Sequence, residues 1–305
     1  MTELTLSAAV IQQHAWPDKD RSLAETERLL TELCQARQPQ LVLLQELHST
    51  HYFCQVEDTA MFDLAEPLDG LTAGRLSALA KKYNTVLVGG IFEKRAAGVF
   101  HNTALVFEAD GSLAGYYRKM HIPDDPGFYE KFYFTPGDAV RNDGSSGFTP
   151  ITTSVGKLGV LICWDQWYPE AARLMALAGA DLLLYPTAIG WDPRDTKDEQ
   201  QRQQQAWQLI QRAHAVANNL PVLVANRTGH EADPSGNGAG ITFWGGSFIC
   251  GQQGDMLAEA DAATPGFITA ELDLARTEQT RRIWPYLRDR RVDAYAGLNS
   301  RLLKP

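Results

Sequence analysis

The chain has 305 residues, 44% of them hydrophobic and 21% charged, which is the balance of a globular protein with a sizeable core and excludes a disordered chain. Its 28 Lys and Arg against 37 Asp and Glu leave a net charge of -9, which argues against nucleic acid as a partner and favours a neutral or cationic ligand. No apolar run approaches the ~20 residues that span a bilayer, the start Met1-Thr-Glu-Leu-Thr-Leu lacks a basic segment followed by an apolar one, and Cys34, Cys54, Cys163 and Cys250 show no CxxC pairing, so a cytoplasmic protein with reduced thiols and no membrane partner, zinc site or disulfide framework is expected.

Residues 5–11 read as a buried strand, and residues 18–37 as a helix in which Leu23, Leu30, Leu33 and Cys34 recur at near-helical spacing. A short apolar run at 41–44 stops abruptly at Gln45-Glu46; a helix over 72–83 and a strand over 85–91 follow. Residues 102–108 and 112–117 form a hairpin joined at Ala109-Asp110-Gly111, because Asp-Gly tolerates positive φ. After a long polar and aromatic loop, residues 151–155 and 157–162 form a second hairpin across Gly156, a helix starts at Cys163, and 181–186 is a further strand. A Gln-rich helix over about 199–218 precedes strands at 221–225, 246–250, 256–259 and 267–272, and a basic, aromatic tail ends the chain. Strands alternate with helices twice, each time followed by hairpin strands. This rough duplication, with no linker between its halves, predicts an α/β fold in one domain, 1–305, with two sheets face to face and helices outside both.

Three polar residues sit at strand ends. A cysteine at a strand end and helix start sits where positive potential and unpaired amides stabilise a thiolate, and the Trp164 amide could donate to an oxyanion. Glu46 and Lys119 lie at two other strand ends, but no Cys-His-Asp pattern accompanies them. Singly, each fits an ordinary role: a buried apolar filler, a solvated glutamate, a solvent-facing lysine.

Together they carry more. The Gln45-Glu46 pair, YRKMHIPDDPGFYEKFYFTPGD from Tyr117 and LICWDQWYPEAARLMALAGADLLLYPTAIG from Leu161 resemble, in order and separation, the Glu, Lys and Cys motifs of the nitrilase, or carbon-nitrogen hydrolase, superfamily. AHAVANNLPVLVANRTGHE and FWGGSFICGQQGDMLAEA extend the likeness through most of the chain. The resemblance implies a four-layer α-β-β-α sandwich. It also implies Cys163 as nucleophile, Glu46 as general base, Lys119 as stabiliser of the tetrahedral intermediates, and Glu130 as a second glutamate in the site. Neither metal nor organic cofactor is expected. Within the superfamily the motifs look like the branch that acts on N-carbamoylputrescine, a cationic carbamoyl-amine, with an N-carbamoyl amino acid as the enzymatic alternative and a catalytically silent binding protein as the non-enzymatic one.

A ureido carbon is a poor electrophile because two nitrogens donate into its carbonyl, so attack needs both a strong nucleophile and firm oxyanion stabilisation. Tyr52, Trp164 and Trp191 are candidate walls of the pocket, and Asp192, Asp195 and Glu231 candidate partners for a substrate ammonium. His121 and His214 read as structural, and Gly236 to Gly240 as a loop. The resemblance further implies a tail, from about residue 276, packed at a subunit interface of a homo-oligomer.

Overall fold

A computed structural model describes residues 5–303; residues 1–4, part of the stretch on which the absence of a leader is read, and residues 304–305 lie outside it. In chain order the first half holds β1 (Thr5–Gln12), α1 (Lys19–Ala36), β2 (Leu41–Leu43), α2 (Leu71–Tyr83), β3 (Val86–Ala96), β4 (Val99–Phe107), β5 (Leu113–Arg118) and the short α3 (Glu130–Tyr133). The second holds β6 (Ile151–Thr153), β7 (Gly156–Val160), α4 (Pro169–Leu177), β8 (Leu182–Pro186), β9 (Gly190–Trp191), α5 (Lys197–Asn218), β10 (Val222–Ala225), β11 (Thr228–Glu231), β12 (Ile241–Trp244), β13 (Phe248–Cys250), β14 (Met256–Glu259), β15 (Gly266–Asp273) and α6 (Leu274–Ile283).

Two six-stranded sheets run β15-β1-β2-β3-β4-β5 and β14-β13-β10-β8-β7-β6. Each has three adjacent parallel strands, β1-β2-β3 and β7-β8-β10, flanked by antiparallel ones, so the duplication read from the sequence is present. The period of two explains the layering. Ala8, Val10, Leu41, Leu43, Val86 and Val88 face the second sheet's Leu158, Val160, Leu182, Leu184, Val222 and Val224 in one core. Their neighbours Ala9, Ile11, Val42, Leu44 and Leu87 face Leu30 and Leu33 of α1 and Leu76 of α2. Strands buried on both faces read as near-continuous apolar runs, and each fully buried Leu or Val contributes roughly 2 kcal/mol. Helices α4 and α5 cover the second sheet through Ala171, Ala172, Met175, Trp207 and Ala215, completing the α-β-β-α order.

Caps follow the sequence. Asp18 accepts from the amides of Asp20 and Arg21 at the start of α1, and Thr196 from that of Glu199 at the start of α5. The second hairpin turns at Ser154-Val155, one step before the expected Gly156, which is the first paired residue and carries φ 122. A small third sheet, β11-β12-β9, has no counterpart in the sequence reading, because its strands, reading TGHE, ITFW and GW, are short and form no apolar run. The basic, aromatic tail, for which no element is read from the sequence, begins with the helix α6.

Candidate active site

The Glu46, Lys119 and Cys163 positions each follow the C-terminal end of a strand, β2, β5 and β7, where α/β folds place their ligands. Among the described residues five non-glycine residues have positive φ, and three of them, Gln38, Asn84 and Asn219, sit at or just past helix ends. The other two are Leu47, at φ 47 directly after Glu46, and Cys163 itself, at φ 43. Such conformations persist only where the surroundings hold them, and they gather at functional sites. Gly90 of β3 makes room for the first of these turns, since a Cβ there would come within 3.0 Å of the Leu47 amide.

Lys119 is fully buried, and its Nζ donates to Glu46 Oε1 at 2.8 Å and to Glu130 Oε2 at 2.6 Å. Burial opposes its charge, but the two carboxylates outweigh burial and hold the ammonium well above the ordinary lysine range. Glu130 is pushed up to about 7, by burial first and by Glu46, against the pull of Lys119. The side chains around them set their aim. Asn102 Nδ2 donates to Glu46 Oε1 at 2.7 Å, Tyr52 Oη donates to Glu130 Oε1 at 2.8 Å, and Glu46 Oε2 has no hydrogen-bond partner among the described residues.

Cys163 departs from the expectation of a thiolate at a helix start. The residues after it form a five-residue 3-10 turn, Cys163–Trp167, and α4 begins only at Pro169. The nearly buried thiol is pushed well above the usual range, by burial first and then by Glu46, while Lys119 opposes. One turn of helix adds little field against that desolvation, which favours the neutral thiol, and Sγ lies 4.0 Å from the Ala188 carbonyl. The early amides of the turn, Trp164's included, have no carbonyl three residues back within it to receive them.

Asp165, two residues on, binds both neighbouring segments. Its buried carboxylate accepts from the His121 amide and Nδ1 at 3.0 and 2.6 Å, from Tyr117 Oη at 2.8 Å and from the Ile162 amide at 2.9 Å. Lys119 lies between Tyr117 and His121, and Cys163 directly follows Ile162. The His121 ring stacks on Tyr168 at 3.8 Å, and His214 contacts the Gln166 carbonyl at 2.8 Å, so both histidines have structural partners.

Cys163 and Glu130 line a cleft of about 470 Å³, open to solvent, with Trp164, Trp167, Phe128 and Trp244 as walls and Asp125, Asp192, Asp195 and Arg194 among its charged lining. Tyr52 is not a wall: it is fully buried behind the carboxylates and holds Glu130. Trp191 lines an adjoining hollow of about 240 Å³, which Asp192 shares. Glu231 is not at the mouth either; its buried carboxylate is engaged by Arg227 and the Tyr52 amide. Asp192 is bound by Arg194, and Asp195 accepts from Gln203 at 2.8 Å. The sequence reading missed Asn102, Asp165 and Asp125: a strand asparagine gives no signal, Asp165 lies only two residues past Cys163, and Asp125 lies in the long loop.

The model of the carbon-nitrogen hydrolase family matches residues 7–282. The chain is 41% identical over 283 residues to an N-carbamoylputrescine amidase of Arabidopsis thaliana, covering 92% of this chain and 91% of that protein. It is 40% identical over 295 residues to a citrullinase of Francisella tularensis, covering 95% and 96%. A carbon-nitrogen hydrolase from Helicobacter pylori G27 superposes with a TM-score of 0.93 at 51% identity, covering 98% of this chain and 100% of that one. A shared family over nearly the whole length, with the strand-end Glu, Lys and Cys in one buried cluster, leads to one conclusion: the chain belongs to the carbon-nitrogen hydrolase family.

Proposed function

We propose that this protein hydrolyses N-carbamoylputrescine to putrescine, carbon dioxide and ammonia, with Cys163 as nucleophile, Glu46 as general base, Lys119 as the cation that stabilises the oxyanion and Glu130 as its second carboxylate. The observation that carries the reading is the buried Glu46–Lys119–Glu130 cluster beside a cleft whose mouth holds Asp125, Asp192 and Asp195. A neutral thiol needs a base at the moment of attack, and Glu46 Oε2 is the unengaged oxygen of a carboxylate whose other oxygen is fixed. On this mechanism the S–C bond forms as the thiol proton passes to Glu46. The C–N bond to the terminal nitrogen then breaks, that nitrogen takes the proton, and ammonia leaves an S-carbamoyl enzyme. Water, activated by Glu46, cleaves the S–C bond, and the released carbamate breaks down to carbon dioxide and putrescine. The Lys119 ammonium and the Trp164 amide receive the oxyanion in both halves.

The mouth favours a cationic tail. Arg194 is the one lysine or arginine among the described lining residues and is bound to Asp192, whereas Asp125 makes no side-chain hydrogen bond or ion pair among the described residues. A ureido amino acid such as citrulline would also need a free cation for its carboxylate. We read the chain as one hydrolase domain whose tail, with Ile283, Trp284, Tyr286 and Val292 exposed, packs against a second copy in a homo-oligomer. The test is ammonia release from N-carbamoylputrescine beside citrulline, N-carbamoyl-β-alanine and a simple aliphatic amide. Preference for the first supports the proposal. Preference for another overturns the substrate but keeps the chemistry, and silence on all four, or turnover by Cys163→Ala, overturns the mechanism.

A further inference from the structure

The geometry points to the buried Arg227–Glu231 pair as the device that holds Glu46 and Tyr52, and through them both carboxylates on Lys119, in their working positions. Arg227 follows β10 in the second sheet, and its guanidinium, fully buried, reaches across to the segment that follows β2 in the first. Nη2 donates to the Glu46 carbonyl at 3.0 Å and the Leu47 carbonyl at 2.9 Å, and Nη1 donates to the Thr50 carbonyl at 2.9 Å. Three main-chain oxygens of one five-residue turn therefore converge on one side chain. Leu47, the residue at φ 47, lies inside that turn.

Glu231 completes the arrangement. Oε1 takes Arg227 Nη1 at 2.7 Å and Oε2 takes the Tyr52 amide at 2.5 Å. Tyr52 in turn donates through its hydroxyl to Glu130, while Glu46, at the other end of the turn, takes Lys119. One ion pair thus fixes the ends of a segment that supplies one carboxylate of the cluster and the orienting hydroxyl of the other. The guanidinium carbon lies 5.3 Å from the Phe243 ring centroid, so the pair is closed off from water. A lysine could keep the charge but not the fork that spans three carbonyls and a carboxylate. Neither residue lines the cleft, so both are positioning residues, and this role rests on the proposed part of Glu46 as the base.

The test compares Arg227→Lys and the milder Glu231→Gln with wild type and Glu46→Gln, measuring kcat per folded molecule, KM, the pH dependence of kcat and, on a Cys163→Ala background, the Kd for N-carbamoylputrescine. Displacing a reacting group by about 1 Å costs on the order of 100-fold in rate. The expected result is a loss of that size in kcat per folded molecule for Arg227→Lys and a smaller one for Glu231→Gln, with Kd unchanged and the acid limb of the pH profile displaced. A residue that merely supports the fold would lower the folded fraction and leave kcat per folded molecule and the profile as they are; that outcome, in whichever variant folds, overturns the inference. Wild-type turnover by Glu46→Gln would instead overturn the reading on which it rests.

Discussion

Asp165 takes two hydrogen bonds from His121, one from its amide and one from its ring, and so ties the residue two past Lys119 to the residue two past Cys163. The relationship joins the two sheets beside Cys163 and Lys119, the proposed nucleophile and cation. It also braces the Cys163 backbone at φ 43, because the same carboxylate accepts from the Ile162 amide.

Asp165→Asn should therefore fold but lose about 100-fold in kcat, since one acceptor oxygen becomes a donor facing donors. His121→Gln should lose less, because the amide and the Tyr117 bonds to Asp165 remain. Steady-state kinetics on both variants check this. Equal losses in the two would count against Asp165 as the centre of the network.

Replacing Lys119 by Met leaves Glu46 and Glu130 buried without their shared cation. Removing one partner of a buried pair costs roughly 3–5 kcal/mol. The urea midpoint should fall accordingly at neutral pH and recover in part at acid pH, where a carboxylate takes up a proton. Lys119→Arg should be nearer wild type in stability yet as inactive, because a planar guanidinium does not fit a site built for a compact ammonium.

Activity should rise with pH through about 7, where Glu130 ionises. The ionised form is the one that accepts from both Tyr52 and Lys119, so protonation on the acid side loosens the hold on the ammonium. The apparent value belongs to the whole cluster. In Glu130→Gln the kcat/KM profile should lose this limb; an unchanged limb would assign it elsewhere.

Stability has its own pH dependence. Burial first, and the Arg227 charge second, lower the His48 imidazole to about 3. In the unfolded chain it titrates near its ordinary value, about 6.5. Between these values the unfolded state binds more protons, so stability rises with pH: the contribution is complete above about 6.5 and is lost as pH falls toward 3. Urea midpoints from pH 7 down to 4 should drop less steeply in His48→Gln.

At the mouth, Asp125→Asn should raise KM for N-carbamoylputrescine about tenfold, or about 1.4 kcal/mol of lost ammonium attraction, and leave KM for neutral butylurea unchanged. A parallel rise for both compounds would mean that Asp125 shapes the loop instead of reading charge.

Much of this protein was legible in the chain itself. Apolar runs such as residues 41–44 and 181–186 mark strands buried on both faces, and α1 carries its periodicity in plain view. Glu46, Lys119 and Cys163 each sit at a strand end, and it is their order and spacing together that carry the family likeness. Local periodicity and ordered motifs are properties of neighbouring residues, so a sequence can state them alone. What the tertiary structure decided are the relations across long separations. Examples are Lys119 between Glu46 and Glu130, Arg227 on the carbonyls around Leu47, Tyr52 behind Glu130 in place of a pocket wall, and Glu231 turned inward from the mouth. The protonation of Cys163 belongs with these, because desolvation depends on everything packed around the thiol, and one turn of helix beginning at residue 163 cannot outweigh it.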